Sequence, residues 1–231
     1  MSDMPVTEVA YFTLQPNADL APIAEAEKTL IQQPGCISVR SSRLHEDANK
    51  LLVLVDWASV SSHHAFEANE AVHAPSLASL QSVMARHMTP YHATLLPYPP
   101  TVLDNADGKG AAVTNVTEFA EFYFRGGDVL TPEKMMSETK TILEFLKLLR
   151  AANPEGFSGE TATGWAMGEV EYNEKKCRIL VLAIGWDSLA AHLRFRDSED
   201  FARIVPLLRA FEDLETVKMC HVSNHTLAAT G

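Results

Sequence analysis

Trp57-Ala58-Ser59-Val60-Ser61-Ser62-His63-His64-Ala65-Phe66 and Trp186-Asp187-Ser188-Leu189-Ala190-Ala191-His192-Leu193-Arg194-Phe195 are two copies of one pattern, with tryptophan, serine, histidine and phenylalanine at the same intervals. Another pair precedes them in the same order: Val6-Thr7-Glu8-Val9-Ala10 and Val116-Thr117-Glu118-Phe119-Ala120. The tryptophan pair is offset by 129 positions and the valine pair by 110, so the second copy carries insertions. One insertion follows Asn153-Pro154, where Gly156, Gly159, Gly164 and Gly168 accumulate. Ordered matches of this kind mark an internal duplication.

The residues around these anchors give each copy the same elements. In the first, residues 6–14 alternate and are rich in β-formers, so they read as a strand. Residues 18–33 place Leu20, Ile23, Ala24, Ala26, Leu30 and Ile31 on one helical face, and Pro34-Gly35 stops that helix. Strands are expected at 36–43 and 50–57, then helices capped by Ser59 and by Ser76, then a strand at 91–96. In the second copy a strand covers 116–124, and Thr131-Pro132 opens a helix whose inner face is Met135, Ile142, Leu143, Leu146 and Leu149. Strands near 163–172 and 176–186 flank an Asn173-Glu174 turn, helices follow Ser188 and Ser198, and a strand covers 216–222. Each copy is therefore a β-α-β-β-α-β, ferredoxin-like α+β module. The expected boundaries are 1–98 and 113–231, with a linker over 99–112. Two such modules in one chain can cover each other's bare sheet faces as an internal pseudo-dimer; a homodimer is the alternative.

A chain of 231 residues accommodates two domains of this size. With 46% hydrophobic and 21% charged residues the composition is that of a globular protein. The net charge of −11 repels phosphate backbones and anionic membrane surfaces. The densest basic run, Lys175-Lys176 with Arg178, reads as the exit of a hairpin, so neither a nucleic acid nor a membrane is expected as a partner. The first residues have no basic segment followed by an apolar one, and the longest apolar runs, such as Ile179 to Ile184, are strand-sized. Cys36, Cys177 and Cys220 form no CxxC and read as reduced thiols, which points to the cytoplasm. No GxGxxG, GxxxxGK[ST] or GxSxG is present, which removes the common nucleotide cradles and the hydrolase elbow.

A strand ending in Trp57 or Trp186, then a serine and a short helix with His63 or His192, inside a module of this order, resembles the dimeric α+β barrel superfamily. The similarity is to its antibiotic biosynthesis monooxygenase (ABM) branch, in a tandem two-module form. The resemblance implies a cavity between helices and sheet for a flat, mostly apolar molecule. Members include cofactor-free oxygenases of aromatic polyketides, quinol-forming enzymes, haem-degrading oxygenases, and relatives that cyclise, decarboxylate or only bind. Family oxygenases place an asparagine with a tryptophan, and in some a histidine, around the substrate. Trp57 and Trp186 match the tryptophan; in place of the asparagine the first strand offers Glu8, Tyr11 and Thr13.

The halves differ at two positions that carry chemistry. His64 aligns with Leu193, and Tyr11 with Glu121. A neutral imidazole at His64, in a slot the other half fills with leucine, is a candidate general base for a phenol or an acidic C–H. The alternative is a histidine bonded to a backbone carbonyl, or a helix turned the other way. His63 and Tyr11 are candidate polar positioners, and Trp57 a candidate aromatic wall or a core tryptophan fixing the strand-to-helix turn. His73, His87 and Phe66 complete the expected substrate contacts, and most histidines, His92 included, lie in the first half. His87-x4-His92 straddles Pro90 and His221-x3-His225 ends a strand, so no protein-bound metal is expected, and no cofactor. The expected activity is cofactor-independent monooxygenation of a hydrophobic aromatic or polyketide-like molecule in secondary metabolism. Cyclisation, isomerisation, decarboxylation and non-catalytic binding are the alternatives, with haem degradation behind them.

Overall fold

A computed structural model describes residues 4–87, 89–105 and 113–229. The chain forms two compact units, one of Met1–Thr94 with Asn224–Gly231, the other of Leu95–Ser223.

The first unit runs β1 (Val6–Leu14), α1 (Ala21–Leu30), β2 (Cys36–Arg43), β3 (Lys50–Trp57), α2 (Val60–Ala68), α3 (Glu70–Gln81), β4 (Met84–His87) and β5 (Tyr91–Ala93). Its antiparallel sheet has β1 between β3 and the successive strands β4 and β5, with β2 outside β3. The second unit runs β6 (Val116–Arg125), α4 (Pro132–Ala152), β7 (Phe157–Trp165), β8 (Val170–Tyr172), β9 (Lys175–Trp186), α5 (Leu189–Arg196), α6 (Glu199–Ile204), α7 (Pro206–Arg209) and β10 (Leu214–Val222). Its sheet order, β10-β6-β9-β7, is the same. Both units are ferredoxin-like α+β modules, as the duplication predicts. A last strand, β11 (His225–Ala228), returns to the first unit and pairs with β2.

Local chemistry sets the strand-to-helix turns. The Ser59 hydroxyl accepts a hydrogen bond from the Ser62 N–H at 3.1 Å, and Ser188 does the same for Ala191 at 3.1 Å. These caps satisfy N–H groups left over at a helix start. Gly35 and Gly156, both at φ +81°, lie under these helices. A Cβ on Gly35 would meet the Ser62 side chain at 2.5 Å, and one on Gly156 the Ala191 methyl at 2.5 Å. Their carbonyls accept from Ala58 and Asp187 at 2.7 Å, tying the strand end to the turn in both modules. The helices cover one face of each sheet. On α4, Ile142, Phe145, Leu146 and Leu149 are buried at helical spacing against Phe122, Phe124, Leu180 and Leu182. On the same helix Leu143 is 51% exposed, so that residue does not belong to the inner face expected of it.

Three further expectations change. Ser76 does not cap a helix: α3 begins at Glu70, and Ser76 is buried inside it, after Pro75. The strand expected at 91–96 is short because β1 takes β4 at its far end and β5 at its near end. The residues read as the start of a linker are packed: Val102 and Leu103 are buried in a 3-10 turn, and the Val102 carbonyl accepts from Thr117 at 2.5 Å. That segment belongs to the second unit because its apolar side chains have a core to enter; residues 106–112 lie outside the described part.

Candidate functional site

The sheet register brings together four side chains that are far apart in sequence. On β1, Val6, Glu8, Ala10, Phe12 and Leu14 share the helix-facing side, because successive strand residues alternate. Glu8 stands directly opposite Val55 on β3 and His92 on β5. Trp57 is two residues beyond Val55, a diagonal neighbour within reach of a long side chain. Its indole N–H donates to Glu8 Oε2 at 2.9 Å. His63, one turn into α2, places Nε2 at 3.4 Å from the same carboxylate oxygen and Nδ1 at 2.9 Å from His92 Nε2. The Trp57 ring stacks on the His63 ring at 5.0 Å between centroids and fixes its tilt. The result is a connected row, Trp57–Glu8–His63–His92.

This row ends a cavity of about 310 Å³ between the sheet and α1, α2 and α3, a volume at the small end of ligand sites. Its walls are mainly apolar, including Ala10, Phe12, Ile23, Val53, Val55 and Phe66. Glu8, Glu27, His63, Glu67, His73, Ser76 and Gln81 are its polar lining residues. Burial pushes the Glu8 carboxyl above the usual carboxylate range, against the pull of the Trp57 hydrogen bond. Burial pushes His63 and His92 the other way, below the usual imidazole range. Desolvation disfavours every charged form, so it brings an acid and two bases toward a common proton affinity. Both shifts narrow the gap in proton affinity along the Glu8–His63–His92 row.

Glu8, His63 and His92 also offer three ligand-type atoms within 4.8 Å of one another. Two histidines and a carboxylate are a known donor set for iron and zinc. Here, however, His63 turns its two nitrogens to different partners, and so it links Glu8 to His92 rather than facing a common centre with them.

The second module repeats the row. Trp186 Nε1 donates to Glu118 Oε2 at 3.1 Å, His192 Nε2 lies 3.3 Å from that oxygen, and His192 Nδ1 lies 2.6 Å from His221 Nε2. The register is also the same: Glu118 faces Ile184 on one side and His221 on the other. The Trp186 and His192 rings lie 5.0 Å apart between centroids, tilted by 31°. Burial raises the Glu118 carboxyl to about 7, opposed by the Trp186 hydrogen bond and by the nearby Arg196 charge. A second cavity, of about 250 Å³, adjoins this row.

Among the expected site residues, His63, Phe66 and His73 do line the first cavity. His64 does not: it is exposed on the outer side of α2, because the Ser59 cap turns His63 inward and the adjacent residue out. Tyr11 lies on the opposite face of β1 from Glu8, Ala10 and Phe12, so strand alternation removes it from the cavity. Trp57 is fully buried behind Glu8 and stacks on His63 rather than forming the cavity wall. His87 pairs with Phe12 through its backbone, and its side chain lies outside the described residues. Two central residues, Glu8 and His92, were not among those expected. Both signals were present. Glu8 is a charge in the inward phase of β1, and the offset of 129 that links His63 to His192 also carries His92 onto His221.

Residues 5–74 match the antibiotic biosynthesis monooxygenase family profile. No curated protein matches the chain by sequence. Among solved structures, an anthrone oxidase-like protein is similar at 17% identity and TM-score 0.68, over 99% of this chain and 95% of that one. A candidate monooxygenase of Lactobacillus acidophilus is similar at 8% identity and TM-score 0.58, over 98% and 97%. One of Fusobacterium nucleatum subsp. nucleatum is similar at 10% identity and TM-score 0.57, over 100% and 97%. At these identities the likeness is one of fold, and it extends over both modules.

Proposed function

We propose, for a chain that is ABM-like in tandem two-module form, that the first module is a cofactor-independent monooxygenase of a flat, phenolic or enolic aromatic molecule. The observation that carries this reading is the Glu8–His63–His92 row at the closed end of an apolar cavity. Glu8 takes the acidic proton of the substrate. His63 passes it from Nε2 to Nδ1, and His92, half-buried and outside the cavity wall, releases it. Trp57 holds the carboxylate oxygen from behind, and the apolar walls keep the resulting carbanion away from water. The electron-rich anion then reacts with dioxygen without a metal. A methylene between aromatic rings loses two hydrogens and gains one oxygen atom as a carbonyl, while the second oxygen leaves as water. The electrons come from the substrate, so no external reductant enters the balance.

The likeness to an anthrone oxidase-like protein supports an anthrone as the first substrate to test, and with it a place in polyketide metabolism. Cys36, Cys177 and Cys220 are buried and outside any disulfide, which fits a cytoplasmic setting. Among the described residues no helix is long and apolar enough to cross a membrane.

The test is oxygen uptake and quinone absorbance with anthrone. Glu8→Gln, which keeps an acceptor for Trp57, and His63→Ala are each expected to lower turnover by roughly 10²–10⁴-fold. His64→Ala is expected to leave it unchanged. Full turnover in Glu8→Gln would end this reading. Loss of turnover on chelation, restored by Fe²⁺, would instead assign Glu8, His63 and His92 to a metal.

A further inference from the structure

The two cavities are built from equivalent positions, yet their charge is reversed. The offset of 129 pairs Trp57 with Trp186, His63 with His192 and Phe66 with Phe195, and Ser76 and Val205 both line their cavities. The same offset pairs Glu67 with Arg196 and Leu80 with Arg209, and all four are cavity-lining residues. Among the described residues, the first cavity thus has Glu8, Glu27 and Glu67 as its ionisable acids, without lysine or arginine. The second has two arginines and Glu118. Arg196 and Arg209 are both exposed, so their guanidinium groups stand at the mouth, while Glu118 and His192 close the inner end. Phe122, Phe195 and Trp186 give the cavity flat apolar walls between the two ends.

We infer that the second module holds its own ligand site, and that it takes a planar aromatic carboxylate, with the ring among Phe122, Phe195 and Trp186 and the carboxylate toward Arg196 and Arg209. Arginine presents a planar fork of N–H donors that matches a carboxylate, and two such groups at one mouth favour an anion over a neutral ring. In the first cavity the equivalent Glu67 repels the same group. The two modules therefore sort ligands by charge, on one shared apolar plan. This inference stands on the second cavity alone and does not rest on the oxygenase reading of the first.

The experiment is calorimetric titration of the full chain with 3-hydroxy-2-naphthoate and, separately, with 2-naphthol. The carboxylate is expected to bind more tightly than the naphthol. The double variant R196Q/R209Q is expected to weaken the carboxylate by at least about tenfold while leaving the naphthol within about twofold. Val217→Trp, on a residue that lines the mouth and is 44% exposed, is expected to block the carboxylate without touching the first cavity. Both substitutions are at exposed positions, and an unchanged thermal transition will confirm folding. The inference is overturned if the carboxylate does not bind at millimolar concentration, or if R196Q/R209Q leaves its affinity unchanged. It is equally overturned if Val217→Trp leaves the carboxylate bound while Glu67→Arg, which exchanges an anion for a cation in the first cavity, strengthens it, since the ligand would then sit in the first cavity.

Discussion

Glu8 and Glu118 are acidic residues in the one phase of their strands that faces the helices, and burial raises the proton affinity of both. Glu118, raised to about 7 by burial, has a testable effect on stability. The folded protein holds this proton more tightly than the unfolded chain, whose glutamate titrates near 4.5. Stability is therefore highest below pH 4.5 as far as this group is concerned, and falls as pH rises to about 7. The size of the effect is roughly 3 kcal/mol at 1.4 kcal/mol per pH unit. Glu118→Gln is expected to flatten this part of the profile, measured as midpoint temperature against pH; an unchanged slope would contradict it. At this scale the sequence was only partly legible. The duplication exposed the tryptophans and His63, but shared residues looked architectural and the differing His64 and Tyr11 looked functional. Neither of those two lines the first cavity, because a helix cap turns His64 outward and strand alternation turns Tyr11 away. A pattern of intervals says which residues recur; only the register says that Glu8 faces His92.

At the scale of elements, β2 and β3 carry a buried polar cluster on the sheet face opposite the cavity. Arg40 donates to Asp56 at 2.7 Å, and Thr7 and Ser38 donate to the same carboxylate at 2.7 and 2.9 Å. Breaking a buried ion pair by removing one partner costs more than the pair contributes, because the other charge stays desolvated. Asp56→Ala is expected to destabilise the first module by about 3–5 kcal/mol in urea unfolding. A loss below about 1 kcal/mol would mean that Arg40 reaches water instead. The strand-to-helix turn predicts a second, smaller effect. Ser59→Ala and Ser188→Ala each remove one cap and are expected to cost about 1 kcal/mol in the same measurement. These elements were the most legible part of the sequence: Ser59, Ser188 and Ser198 cap helices, and Thr131-Pro132 opens one, where their residues place them. What escaped was β11, a four-residue strand that pairs with β2.

At the scale of the whole molecule, the two modules share a plan but differ in the charge around their cavities, which is the expected outcome when one copy of a duplicated fold is free to change its ligand. The strand β11 adds a constraint on that history. His225, Thr226, Leu227 and Ala228 pair with Ser41, Arg40, Val39 and Ser38, covering the free edge of β2. An uncovered edge offers its N–H and C=O groups to other chains. Removing residues 224–231 is therefore expected to promote self-association, visible by light scattering, and to lower the melting midpoint. A variant that stays monodisperse with an unchanged midpoint would show that β2 is protected in another way. Topologically, the second unit is a guest within the first: the chain leaves its host after Thr94 and re-enters at Asn224. Bisecting the gene at any single point thus yields no complete host, and excising the guest takes two cuts and one splice, joining Thr94 to Asn224.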